Sequence, residues 1–81
     1  MLLYCIELGV YSRDAYELAS ILQSYDIGYS THTYANHRDV FNGNILCVEM
    51  TWFSAKIRTR RKYEELLETL EKSDLEIAIS G

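Results

Sequence analysis

The chain has no proline, and among its 81 residues only four are glycine and two are cysteine. No proline-rich or glycine/serine-rich stretch interrupts it, so the length predicts one domain spanning residues 1–81. The cysteines, Cys5 and Cys47, are too few for a disulfide framework and lack the spacing of a zinc knuckle. The start, Met1-Leu2-Leu3-Tyr4-Cys5, has no basic segment ahead of its apolar residues and does not read as an export signal. Reduced thiols and a cytoplasmic location are therefore expected. No apolar run approaches the roughly 18 residues needed to cross a bilayer, so no membrane role is expected. Basic residues are outnumbered eight to twelve by acidic ones, for a net charge of −4. That balance argues against binding nucleic acid or anionic lipid over the whole surface. Gly-x-Ser-x-Gly, the Walker loop and Gly-x-Gly-x-x-Gly are all missing. With no assignable nucleophile–base pair, the expectation is a protein that is not an enzyme, with no catalytic residue, cofactor or metal.

What is present is a sufficiently apolar chain, 48% by composition, with two related strand signals. Ile45–Phe53 reads Ile-Leu-Cys-Val-Glu-Met-Thr-Trp-Phe, and Leu3–Tyr11 reads Leu-Tyr-Cys-Ile-Glu-Leu-Gly-Val-Tyr. In both, Cys and Glu lie two residues apart between apolar residues. Strand alternation puts Tyr4, Ile6, Leu8 and Val10 on a core side and Leu3, Cys5, Glu7 and Gly9 on the other. In the second signal the larger apolar set, Leu46, Val48, Met50 and Trp52, is expected inside, with Cys47, Glu49 and Thr51 outside.

Between these strands, Leu18, Ile21, Leu22 and Tyr25 follow helical spacing. They predict a helix from about Arg13 to Asp26, with Ser12 as N-cap and Gly28 as the left-handed C′ residue. Tyr29–Tyr34 is a polar run of β-formers that suits an edge strand. Asn42-Gly43 fits a type I′ hairpin turn, which would set Tyr34 opposite Thr51 and Asn36 opposite Glu49. Tyr63, Leu66, Leu67 and Leu70 form the apolar stripe of a second helix capped by Ser54. Leu75, Ile77 and Ile79 predict a final strand, with Glu76 on its outer side. Right-handed crossovers then give an α+β ferredoxin-like βαββαβ fold: a four-stranded antiparallel sheet of order 4-1-3-2 with two helices on one face.

Three candidate sites follow. The uncovered sheet face would hold a polar cluster of Cys5, Glu7, Cys47, Glu49 and Glu76. The chemical options there are a solvated polar face, an interface, or a small-molecule or metal sensor. RNA-binding modules of this fold stack bases on aromatics at the centre of strands one and three; this alignment puts Cys and Glu there, which argues against that use. The second site is Lys56-Ile57-Arg58-Thr59-Arg60-Arg61-Lys62, five of the eight basic residues in seven positions. Pairing four residues on, Arg60 with Glu64 and Arg61 with Glu65, would neutralise part of it. Otherwise Lys56, Arg58, Arg60, Arg61 and Lys62 form a patch for nucleic acid or another anion. The third is a partner interface at Tyr29, Tyr34, Arg38 and Phe41, in a chain with seven tyrosines.

A domain this small gains from covering more apolar surface, so self-association is expected, as a homodimer. The leading functional expectation is a small interaction module. It binds a protein or nucleoprotein complex as a regulator or a viral-type inhibitor. Nucleic-acid or phosphate binding through the start of the second helix is the alternative.

Overall fold

The computed structural model describes residues 3–36 and 48–80. The Asn42-Gly43 turn, Arg38, Phe41, Leu46 and Cys47 lie outside them.

The described chain runs β1 (Tyr4–Tyr11), a 3-10 turn (Ser12–Asp14), α1 (Ala15–Ser24), β2 (Gly28–Asn36), β3 (Val48–Ile57), α2 (Arg60–Lys72) and β4 (Ala78–Ser80). The strands form one antiparallel sheet in the order β2-β3-β1-β4, which is 4-1-3-2 read from the other edge. The ferredoxin-like arrangement expected from the sequence is the one observed.

The core lies between the helices and one face of the sheet. From β1 it takes Ile6, Leu8 and Val10, and from β3 Phe53, Ala55 and Ile57. Leu18 and Leu22 of α1 and Leu66 and Leu70 of α2 close it from above. Phe53, Leu8, Leu18, Leu22 and Leu66 are fully buried, each side chain stabilising the fold by about 1.5–3 kcal/mol through loss of water-exposed area. Tyr4 of β1 stacks on Tyr63 of α2 with ring centroids 4.9 Å apart, and the hydroxyls of Tyr25 and Thr69 hydrogen-bond between the end of α1 and α2.

Several element ends differ from the sequence expectation. Asp26, not Gly28, takes the left-handed conformation after α1 (φ 54), and Gly28 opens β2. Asp tolerates this region because its short polar side chain compensates locally. Ser12 caps no helix; its hydroxyl bonds Thr51 at 2.9 Å, and Thr51 bonds Thr33 at 2.8 Å. β3 continues to Ile57, so Ser54 is a strand residue. Thr59 is the N-cap of α2, its hydroxyl accepting the Lys62 N–H at 3.1 Å. β4 is only three residues long, and Leu75 and Ile77 pack on the core before it begins.

Candidate functional site

The principal correction concerns the faces of β3. Directly paired residues of adjacent strands share a face. Ile6 pairs with Ala55, Leu8 with Phe53 and Val10 with Thr51, so Thr51, Phe53, Ala55 and Ile57 face the helices. Met50, Trp52, Ser54 and Lys56 point the other way. β2 pairs Tyr34 with Met50, not with Thr51. This one-residue difference in register is the step that exchanges faces. The signal lay just past the predicted strand end: Phe53-Ser54-Ala55-Lys56-Ile57 alternates apolar and polar, and it places Phe53 inside.

Among the described residues, the members of the expected thiol-and-carboxylate cluster are therefore not brought together. Cys5 and Glu7 are exposed on the open face, where Ser54 donates a 3.5 Å hydrogen bond to Glu7. Glu49 pairs with Ala35 and faces the helix side, in a shallow depression with Tyr11, Ser12, Arg13 and Val48. Glu76 precedes β4 and belongs to no strand. Among the described residues no three His, Cys, Asp or Glu side chains converge as metal ligands would.

In place of that cluster the open face has an aromatic and thioether centre. Trp52 lies across Gly9: a Cβ added at Gly9 would meet its ring at 2.7 Å. Glycine is required here for close approach. Met50 is fully buried, flanked by Tyr11 on β1 and Tyr34 on β2, and His32 pairs with Trp52. The Trp52 indole N–H is buried without a hydrogen-bond partner among the described residues. The absence of an aromatic at mid-face, which argued against base stacking, is thus overturned. The same face carries Glu7 and only one described cation, Lys56, which is an unfavourable balance for a phosphate backbone. Of the expected partner interface, Tyr34 is about half exposed on this face. Tyr29 faces the other way, packed on Phe53 at 5.2 Å with its hydroxyl accepting from Gln23 at 3.0 Å.

The basic segment divides into two sets. Arg60 bonds Glu64 at 2.9 Å and Arg61 bonds Glu65 at 3.2 Å, both as exposed pairs four residues apart on α2. Lys56, Arg58 and Lys62 make no ion pair with a described carboxylate. They line a common groove of about 760 Å³ at the end of the sheet where β3 passes into α2. Asp26, Gly28, Tyr29, Ser30, Ser54 and Thr59 complete most of its wall. The geometry follows from the strand's extension to Ile57. Lys56 is on the open face, Arg58 follows the strand, and Lys62 is in the first turn of α2.

No family model matches the sequence, and no curated protein matches it. Solved structures do match its shape. A protein from Thermus thermophilus described as a PII-like signaling protein superposes with a TM-score of 0.65 at 10% identity. The match covers 99% of this chain and 87% of that one. CPII from Thiomonas intermedia, bound to ADP, AMP and acetate, gives 0.59 at 15% identity, covering 98% and 87% of the two chains. The same CPII, a nitrogen regulatory PII-like protein, bound to ADP, AMP and bicarbonate gives 0.58 at 13% identity with the same coverage. At these identities the likeness establishes the fold, a ferredoxin-like sheet of the kind these PII-like proteins use.

Proposed function

We propose that this chain is a small regulatory module of the PII-like kind. It does no chemistry of its own, associates with further copies of itself, and passes a ligand-dependent state to a protein partner in the cytoplasm. The observation that carries this reading is the extent of the structural correspondence. It covers 98–99% of the chain, so essentially every element here has a counterpart in signalling proteins. Two of the matching structures hold adenine nucleotides, which supports a small-molecule input. The open sheet face supports self-association: Tyr34 is about half exposed on it and Trp52, beside it on β3, is part-exposed.

Light scattering across a concentration series tests the assembly. A dimer or larger species that Trp52→Glu reduces to a monomer is expected. A wild-type chain that stays monomeric at about 100 μM, well above the Kd of a stable assembly, refutes it. Pull-down of the tagged protein from its own host, with and without nuclease, tests the partner. A protein captured equally under both conditions supports the reading; capture that disappears with nuclease transfers the function to nucleic acid.

A further inference from the structure

We infer that the groove at the β3–α2 junction is a binding site for the phosphate group of a small phosphorylated molecule, with Lys56, Arg58 and Lys62 as its ligands. The site rests on the proposed regulatory role only in that it would supply the input that role requires. The charge arrangement is the first ground. In a chain of net charge −4, the three cations lining this groove make no ion pair with a described carboxylate, Asp26 of the same wall included. Arg60, Arg61 and Lys72 on the same helix are all paired. Gathering unpaired like charges in a concave surface is unfavourable unless an anion enters it. The first turn of α2 also contains no acidic residue, so its free N–H groups add to the positive potential instead of being offset.

Size and access are the second ground. A groove of about 760 Å³ falls in the range of roughly 300–1,000 Å³ that suits small-molecule ligands. It is too confined for an extended polynucleotide, which would need cations continuing along the surface, whereas Arg60 and Arg61 are held by Glu64 and Glu65. Gly28 has open space where a side chain would be, with no atom within 4 Å of an added Cβ. Asp26 is also in the wall, and its carboxylate would repel a second anionic group. It would accept a hydrogen bond from a hydroxyl, so the ligand class is a phosphomonoester with a hydroxylated body.

The test is calorimetric titration with AMP and with ribose 5-phosphate, using adenosine as the phosphate-free control. Both phosphate esters should bind and adenosine should bind at least about tenfold more weakly, as expected when charge-assisted hydrogen bonds are lost. The Arg58→Gln/Lys62→Gln double variant should lose at least about tenfold in affinity. Gly28→Leu should fill the groove and abolish binding. Both variants should keep the wild-type circular dichroism spectrum. Arg60→Gln/Arg61→Gln should bind within about twofold of wild type, because those arginines do not line the groove. Three results would overturn the site: no heat or thermal shift with either ester, equal binding of adenosine, or equal losses in the two arginine-containing double variants. Tight binding of a single-stranded oligonucleotide that depends on Arg60 and Arg61 would replace it with a nucleic-acid surface. Titrations repeated in the Trp52→Glu background separate the site from self-association: the same affinities are expected there.

Discussion

Replacing Gly9 with alanine tests the layer built on the open face. The added methyl would lie 2.7 Å from three carbons of the Trp52 ring, roughly 1 Å inside the optimal contact distance. The ring must tilt away or the strands must shift, and overpacking of this kind costs about 1–3 kcal/mol. Against it, alanine has less backbone freedom to lose than glycine, a gain of about 0.4–1 kcal/mol where the conformation permits. The net expectation is a loss of about 1–2 kcal/mol. For 81 residues, an unfolding entropy of about 0.17 kcal/mol/K converts that loss to a Tm lower by about 6–12 °C. In a Trp52→Ala background the obstacle is gone, so the same glycine-to-alanine change should be neutral or stabilising by up to about 1 kcal/mol. Urea denaturation of the four proteins of this cycle, followed by far-UV circular dichroism, gives the coupling directly. It should be about 1–3 kcal/mol. An equal Gly9→Ala penalty in both backgrounds would show that Trp52 does not rest on Gly9, and the face assignment of β3 would fall with it.

Phe53→Ala should cost about 3–5 kcal/mol, a large share of what a domain this size possesses, and be read as a collapse of the cooperative thermal transition; a loss under about 1 kcal/mol would contradict its place at the core. Thr59→Ala should cost about 1 kcal/mol in chemical denaturation by removing the acceptor for the Lys62 N–H, and Thr59→Ser should restore most of it. Lys72 hydrogen-bonds Glu68 and holds its carboxyl below the ordinary glutamate range, while Glu68 raises the Lys72 ammonium. The small stabilisation from Glu68 is present above the carboxyl's unfolded value and is lost as pH falls through the lower folded one. It also weakens with salt because the pair is exposed. Melting curves of Glu68→Gln and wild type should therefore differ slightly at neutral pH and low salt and converge in acid; a gap that widens in acid would contradict the pairing.

The element order and sheet order were legible because each depends on a long signal. The stripe Leu18, Ile21, Leu22, Tyr25 fixes α1, and Tyr63, Leu66, Leu67, Leu70 fixes α2. Chirality then leaves few ways to join them to the strands. The face of β3 was not legible from Ile45–Phe53 alone, since Met50 and Trp52 are more apolar than Glu49 and Thr51. In this sheet Thr51 is buried because two hydroxyls, those of Ser12 and Thr33, satisfy its own. Met50 and Trp52 occupy the side without helices. Composition cannot foresee that exchange, because it depends on partners brought from other strands. The basic segment was found by its density. Its division into paired arginines and groove cations required the strand end at Ile57, which sets the rotation at which α2 begins.

The position of the sole tryptophan has a practical consequence. Its indole is part-exposed on the face proposed to meet a second copy, so its emission would report such an assembly without a label. On serial dilution of unlabelled protein, dissociation would move the emission maximum to longer wavelength as water reaches the ring, and the midpoint would give the association constant without any added dye.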